Sequence, residues 1–506
     1  MSLFFSALPY KFHRVYLQAL AIVAVLVIAP AARAQVAPPD APAGAVAAPP
    51  PPAAEAPAPV PATPAAVDPA AIAALSAKVD EADQNARIAA RKLELLEEQL
   101  ATKAKEAPGV IADDRGFGVR SADGAFVLRF RGQIQVDSRW FLGDTALSDR
   151  LDTFLIRRFR PGFDGTVFNI ADFRFTPDFA GGTTVVFDAY ADIHPAPYLR
   201  LRAGKFKTPL GLERLQGDQD LPFLERALTQ FLTPTRDVGL ALWGDIAGGV
   251  FQYSAGIFNG GFDNSNLDVD SNHGKDVIAR LLIQPFKAPA LQGLGALGLH
   301  IAASQGDRRG LPTAPLLGSY KTAGQNTFFS YLAPASDSDG SKTVFAYLTQ
   351  KRINPGIFYY YGPLGILSEA VWSQQEVRKG NAIATLTHKA VHATASVVLG
   401  GTNGYDGATP TRPLDFAKGN PGALELAVRW NWLKIDDATF PTYADSSRSA
   451  SKAQGWAVAA TYVPSRLYRL AVNYERTAFA GGAGTPASPK DRNTESVVIG
   501  RVQINF

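Results

Sequence analysis

The chain has 506 residues, 46% of them hydrophobic, no cysteine, and 50 Lys+Arg against 46 Asp+Glu. The absence of thiols excludes disulfide stapling, thiol catalysis and Cys-ligated metal. Residues 1–34 hold Lys11, Arg14 and Arg33 and no acid, so the rest balances at 47 to 46 and gives no reason to expect nucleic acid as a partner.

Residues 1–34 read as an export signal. Lys11, His13 and Arg14 form a basic start, Leu17–Ala29 is an apolar run, and Ala32-Arg33-Ala34 is a small-x-small cleavage site. The run is too short to span a bilayer as a helix. Residues 35–70 form a Pro/Ala-rich spacer, with twelve prolines between 36 and 70. Proline fixes φ and removes the backbone donor, so this stretch favours extended polyproline over a packed core.

From 71 to 107 the pattern changes. Ile72, Leu75, Val79, Ala82, Ala86, Ala89, Leu93, Leu96 and Leu100 recur at alternating spacings of three and four. That spacing predicts an α-helical coiled coil, placed in the periplasm, with Asp68 as its cap, Pro69 in its first turn and Pro108-Gly109 as its stop.

Beyond Asp113 the period drops to two. In Phe126–Trp140, Leu128, Phe130, Gly132, Ile134, Val136 and Trp140 alternate with Arg129, Arg131, Gln133, Gln135, Asp137 and Arg139. One face is apolar and the other hydrated. Similar segments recur to the C-terminus, and no segment after the signal is a long unbroken apolar run. Near-zero mean hydropathy is compatible with a barrel, because lipid-facing and lumen-facing residues cancel. The fold class read from this is an all-β, 16-stranded antiparallel transmembrane β-barrel over 116–506, preceded by the short coiled coil. Seventeen strand segments can be marked, including Thr343–Arg352 and Pro355–Tyr361 as two, and closure favours an even number.

Tight turns are predicted at His194–Pro197, Tyr361–Gly365 and Pro464-Ser465. Long loops are predicted at Lys207–Pro234, Asn259–Gly274, Gly306–Ser341 and Gly400–Gly422, on the opposite rim. Trp140, Phe141, Trp243, Tyr359, Tyr360, Tyr361, Trp372, Trp430, Trp432 and Trp456 are expected at the membrane interfaces. The last segment alternates Val498, Gly500, Val502, Ile504 and Phe506 with Arg501, Gln503 and Asn505. A closing strand ending on Phe506 looks like the signal read by the bacterial barrel-assembly machinery.

Candidate pore-lining and anion-binding residues are Arg129, Arg131, Arg157, Arg158, Arg160, Arg200, Arg202, Lys205 and Arg214. Guanidinium forks bind carboxylate or phosphate oxygens in pairs, and a low-dielectric wall focuses their field. The competing reading is that Asp172, Asp188 and Asp192 on neighbouring strands pair with these arginines in a rigid, weakly selective wall. Loop 207–234 is long enough to fold inward and narrow the pore.

Several phrases resemble the phosphate-selective porin O and P family: Gly116-Phe117-Gly118-Val119 leading to Phe130–Gln135, Arg157-Arg158-Phe159-Arg160, Phe173–Phe179, Gly204–Pro209 with Gly211–Arg214, and Tyr359–Pro363. The resemblance covers about 116–506. It implies a sixteen-stranded trimeric barrel with an inward third loop, with Arg157, Arg158 and Arg214 at the family's anion positions. Phosphate-specific members carry lysines in that loop, whereas this chain has none between Lys207 and Pro234.

The expected function is an outer-membrane porin, a water-filled diffusion channel that prefers small anions such as phosphate. Its expected partners are outer-membrane lipid, two further copies of itself and the assembly machinery, with no cofactor and no catalysis. Alternatives are a weakly selective porin and a structural protein tethering the envelope. Histidines are scattered; His388 and His392 share a strand face without an obvious third ligand.

Overall fold

The computed structural model describes residues 68–113, 116–143, 151–270, 273–287, 293–335, 337 and 340–506. The export signal and nearly all of the spacer lie outside them.

Helix α1 runs from Pro69 to Glu106. Asp68 caps it, accepting from the Ala70 amide at 2.9 Å, and Pro69 sits where an amide donor is dispensable. Ile72, Leu75, Val79, Leu93, Leu96 and Leu100 are all exposed in the single chain. The predicted helix is present; the coiled coil that would cover this seam needs other copies.

The second unit, Pro108–Phe506, is a closed antiparallel barrel. Its strands are β1 (Val127–Leu142), β2 (Thr153–Val167), β3 (Ala171–Asp178), β4 (Val185–Ala196), β5 (Leu199–Phe206), β6 (Asp237–Ile246), β7 (Phe251–Phe258) and β8 (Asp276–Ile283). They continue with β9 (Leu297–Arg309), β10 (Phe345–Tyr361), β11 (Leu364–Lys379), β12 (Ala382–Leu399), β13 (Ala423–Lys434), β14 (Ala450–Ser465), β15 (Tyr468–Thr485) and β16 (Glu495–Asn505). Each pairs with its sequence neighbour, and β16 closes on β1 from Ser496 opposite Leu142 to Asn505 opposite Gln133. Closure leaves no sheet edge unpaired in the apolar layer.

The seam is completed by Phe506 on one side and by the hairpin that precedes β1 on the other. Phe506 extends the β16 register by one residue, exchanging hydrogen bonds with Gly132 at 3.0 and 2.6 Å. Its ring lies over Gly132, where a Cβ would come within 2.2 Å, and beside Phe130 at 5.7 Å. The remaining edge of β1 is taken by Gly116–Arg120, itself paired with Gly109–Asp113.

Seventeen predicted segments become sixteen strands because Thr343–Arg352 and Pro355–Tyr361 are one. Pro355 pairs with Ile301 on one side but lacks a ladder partner on the β11 side. Asn354 repairs the gap: its side-chain amide donates to Ala370 O at 2.8 Å, the carbonyl in register with the proline. Sequence alone makes Pro355 a strand start.

Connections 168–170, 197–198, 247–250, 362–363 and 466–467 define a tight-turn rim, and the long connections 207–236, 259–275 and 310–344 the other. The rule has exceptions. Residues 380–381 are a tight turn on the long-loop rim, while the 284–296 connection between β8 and β9 and segment 400–422 both belong to the tight-turn rim, the latter opposite to its predicted side. Its start is tied to the 362–363 turn, with Asn403 N donating to Gly362 O at 2.7 Å. Strand parity fixes the rim of a connection, and parity was lost with the false break at Pro355.

Most outward positions are apolar, as expected. Three of the ten aromatics assigned to the interfaces point inward instead. Phe141 packs with Leu224 and Val497, Trp243 donates to Asp192 at 3.2 Å, and Tyr360 sits with Leu212, Phe358 and Tyr405. An amphipathic ring suits a wet lumen wall as well as a headgroup layer.

Candidate functional site

The lumen is shaped by two long loops that fold inward. Leu228, Phe231 and Leu232 of loop 207–236 pack with Tyr320, Phe328 and Phe329 of loop 310–344 against Val371, Ala390, Leu433 and Ala453 of the wall. Inward positions on β11–β15 are therefore partly small and apolar, because loop rather than water covers them. The polar-inside rule holds where solvent fills the barrel, and the inward faces of β1–β5 obey it.

Loop 207–236 is held to those arginine-rich strands by its own acids. Glu225 accepts from Arg157 Nε at 2.6 Å and Nη2 at 3.0 Å, and from Arg139 Nη2 at 2.8 Å. Asp218 pairs with Arg160, with Arg226 at 2.6 Å and with Arg158 at 3.4 Å. From the other side, Arg429 on β13 reaches the Glu225 carbonyl at 2.8 Å and the Glu475 carboxylate at 2.8 Å. Burial opposes ionisation of Glu225, but Arg157 and Arg139 outweigh it and hold its carboxyl well below the usual range.

Adjacent arginines both face inward here because of a bulge. Gln135 of β1 pairs with Arg158 and Val136 pairs with Ile156, so Arg157 is the extra residue. The bulge shifts the side-chain phase and places two guanidinium groups side by side against the loop.

Each predicted site residue can be placed. Arg129 grips Asp113 at 2.8 and 3.0 Å, beside the Gly109–Arg120 hairpin. Arg131 pairs with Asp164, and Arg160 also with Asp178 at 2.6 Å. Arg158 donates to Gln135 at 2.5 Å. Arg200 meets Asp172 at 2.9 Å and Asp192 at 3.4 Å, while Arg202 meets Asp192 at 2.6 Å. Lys205 pairs with Asp268. Arg214 donates to the Gln230 carbonyl at 2.5 Å and is buried in the loop, where desolvation brings it down to about 9. Arg157, Arg158 and Arg160 thus position the loop, while Arg200 and Arg202 pair with Asp172 and Asp192, two of the three acids that the competing reading named; the third, Asp188, pairs at 3.0 Å with Arg236 at the end of the loop.

Sequence reasoning missed Arg174 on β3. It stands opposite Asp164 in register, but Asp164 is taken by Arg131. No carboxylate lies within ion-pair distance of Arg174 among the described residues, and its Nε is buried without a hydrogen-bond partner. Its position in the alternating Phe173-Arg174-Phe175 phrase was the available signal. A niche of about 300 Å³ opens beside it, with Arg129, Arg200, Arg202 and Tyr190 also on its wall.

His392 finds the partners that strand spacing did not reveal. It lies 3.8 Å from Glu369, and ligand atoms of Glu213, Glu369 and His392 fall within 4.8 Å of one another. The Glu369 oxygens accept from Leu212 N at 2.6 Å and Asn354 at 3.0 Å, and Glu213 accepts from Ala227 N at 2.8 Å. Those bonds make the cluster another anchor of loop 207–236.

Segment 400–422 supports the same loop from the tight-turn side. Tyr405 donates to Leu212 O at 2.6 Å, and Gln216 donates to Tyr405 O at 2.7 Å. Burial pushes Asp220 up to about 6, against the pull of Arg469 and with help from Asp406. The folded state therefore favours the protonated form, and stability falls as pH rises from the ordinary carboxylate range through 6. Between pH 7 and pH 5 Asp220 loses its negative charge. Reversal potentials in planar bilayers are expected to shift toward anions over that interval, and Asp220→Asn to abolish the shift.

A family model described as phosphate-selective porin O and P matches residues 128–506. Among solved structures, the outer membrane channel DcaP of Acinetobacter baumannii aligns at 14% identity and TM-score 0.48, covering 77% of this chain and 99% of that one. An anion-selective porin from Comamonas acidovorans aligns at 11% identity and TM-score 0.47, covering 75% and 100%. The trimer form of OmpT from Vibrio cholerae aligns at 12% identity and TM-score 0.46, covering 76% and 100%. No curated protein matches.

Proposed function

Because this chain belongs to the phosphate-selective porin O and P family, and is a channel of the bacterial outer membrane, we propose that its pore prefers small anions. The observation that carries this is the charge of the inward wall formed by β1–β5. Arg129, Arg131, Arg139, Arg157, Arg158, Arg160, Arg174, Arg200, Arg202 and Lys205 stand against Asp137, Asp164, Asp172, Asp178, Asp188 and Asp192. The loop acids Asp218 and Glu225 offset part of the excess, and Arg174 remains without an acid partner. A cation excess inside a low-dielectric wall raises the local concentration of anions.

Reversal potential under a potassium chloride gradient tests the proposal, with chloride expected to be favoured over potassium. Arg157→Ala and Arg158→Ala weaken this preference by exposing Glu225 and Asp218, and Arg174→Gln weakens it by removing a cation that has no acid partner among the described residues. Unchanged selectivity in all three variants would count against the assignment.

The homotrimer and the periplasmic coiled coil belong to the same proposal. Their support is the row of exposed apolar residues on α1, which other copies could cover. Chemical crosslinking of intact cells is expected to capture trimers that weaken on deletion of 69–106. Loss of envelope integrity with solute uptake intact, on deletion of 36–108, would favour the tethering alternative.

A further inference from the structure

We propose that the niche beside Arg174 takes a carboxylate-bearing organic solute in preference to inorganic phosphate, a reading that deepens the anion-channel proposal and rests on it. The niche has a volume of about 300 Å³. Its cations are not equivalent. Arg129 is held by Asp113, and Arg200 and Arg202 are held by Asp172 and Asp192. Arg174 alone on this wall has no acid within ion-pair distance among the described residues, and its Nε is buried without a partner.

One guanidinium edge presents parallel N–H donors that match the two oxygens of one carboxylate. A phosphate dianion is more heavily hydrated and needs donors around several oxygens. Here the surrounding positions carry Asp164, Asp172 and Asp192, which oppose a second negative charge. Lysine, the point charge that would serve phosphate from any direction, is missing. Lys207, at the start of the constricting loop, spends its ammonium on the carbonyls of Leu215 and Gln216 at 3.3 and 2.6 Å.

The niche also offers a surface for an apolar body. The Tyr190 ring lies 5.9 Å from the Arg174 guanidinium carbon and 4.4 Å from that of Arg202. A planar hydrocarbon group attached to a carboxylate can lie on this ring while its oxygens meet Arg174.

The test uses the full-length protein in planar bilayers with potassium chloride as the current carrier, titrated in parallel with benzoate, butyrate and inorganic phosphate. Benzoate is expected to interrupt the chloride current at concentrations at least ~10-fold below phosphate, with butyrate between them. Arg174→Gln should remove the difference. Arg174→Lys should likewise lose the benzoate advantage, because an ammonium cannot reproduce the fork. Phosphate acting at equal or lower concentration than benzoate overturns the inference, as does a benzoate effect that survives Arg174→Gln. If chloride is favoured but benzoate has no advantage, only the solute class fails. If the wild-type reversal potential shows no anion preference, the channel reading fails with it.

Discussion

Glu225→Gln is expected to raise single-channel conductance at least ~2-fold and to increase open-channel noise. Glu225 is the acid on which Arg139 and Arg157 converge, at 2.6 to 3.0 Å. Removing its charge leaves two guanidinium groups facing each other across a neutral amide in a desolvated site. Breaking one side of such a pair costs about 3–5 kcal/mol. The barrel ladder is untouched, so the cost falls on the contact between loop 207–236 and the β1–β2 wall, which swings open. Arg157→Gln in the same chain should recover part of the effect by removing one orphaned cation, a coupling that a double-mutant cycle measures. The sign of the pH dependence follows. Arg157 and Arg139 depress the Glu225 carboxyl despite its burial, so its anchoring is complete above the ordinary carboxylate range and fails only in strong acid. Conductance equal to wild type would show that the loop is held without this carboxylate.

Deleting Phe506 is expected to lower the amount of folded barrel in the outer membrane by an order of magnitude or more, measured by heat-modifiable mobility of membrane fractions. Two contributions are lost. The backbone exchange between Phe506 and Gly132 is the last rung of the β16–β1 seam, and without it the barrel closes one pair short. The ring also fills the gap that Gly132 leaves beside Phe130, as an aromatic residue covers a glycine on a neighbouring strand. Phe506→Ala keeps the rung and loses the ring, so it separates the two. If the terminal ring is what the assembly machinery reads, Phe506→Ala should fail in cells yet fold in detergent after refolding from denaturant. If the rung dominates, it should resemble wild type in both.

The loop anchors explain why the predicted arginine cluster behaves as two sets. Arg157, Arg158 and Arg160 meet loop acids 58 to 68 positions away, while Arg200 and Arg202 meet Asp192 on the adjacent strand β4 and Arg200 also reaches Asp172 on β3, one strand further round. Residue type and inward direction were legible, because period-2 alternation fixes which face a side chain takes. Partnership was not, because it depends on where a 30-residue loop settles inside the barrel.

Much of the architecture was local in origin. Alternation determined the strands and their outward faces, the 3,4 spacing with Asp68 and Pro69 determined α1, and the last strand announced itself by Val498 to Phe506. These features depend on neighbours within a few residues, so the sequence carries them directly. Other features required the closed cylinder. The bulge at Arg157 and the continuity of β10 through Pro355 depend on which strand lies alongside. The inward turn of Trp243 and the rim occupied by 400–422 depend on strand parity counted around the whole sheet. Arg174 stands out only because Arg131 has already claimed Asp164, and such competition is settled by distance in the folded chain rather than by separation along it.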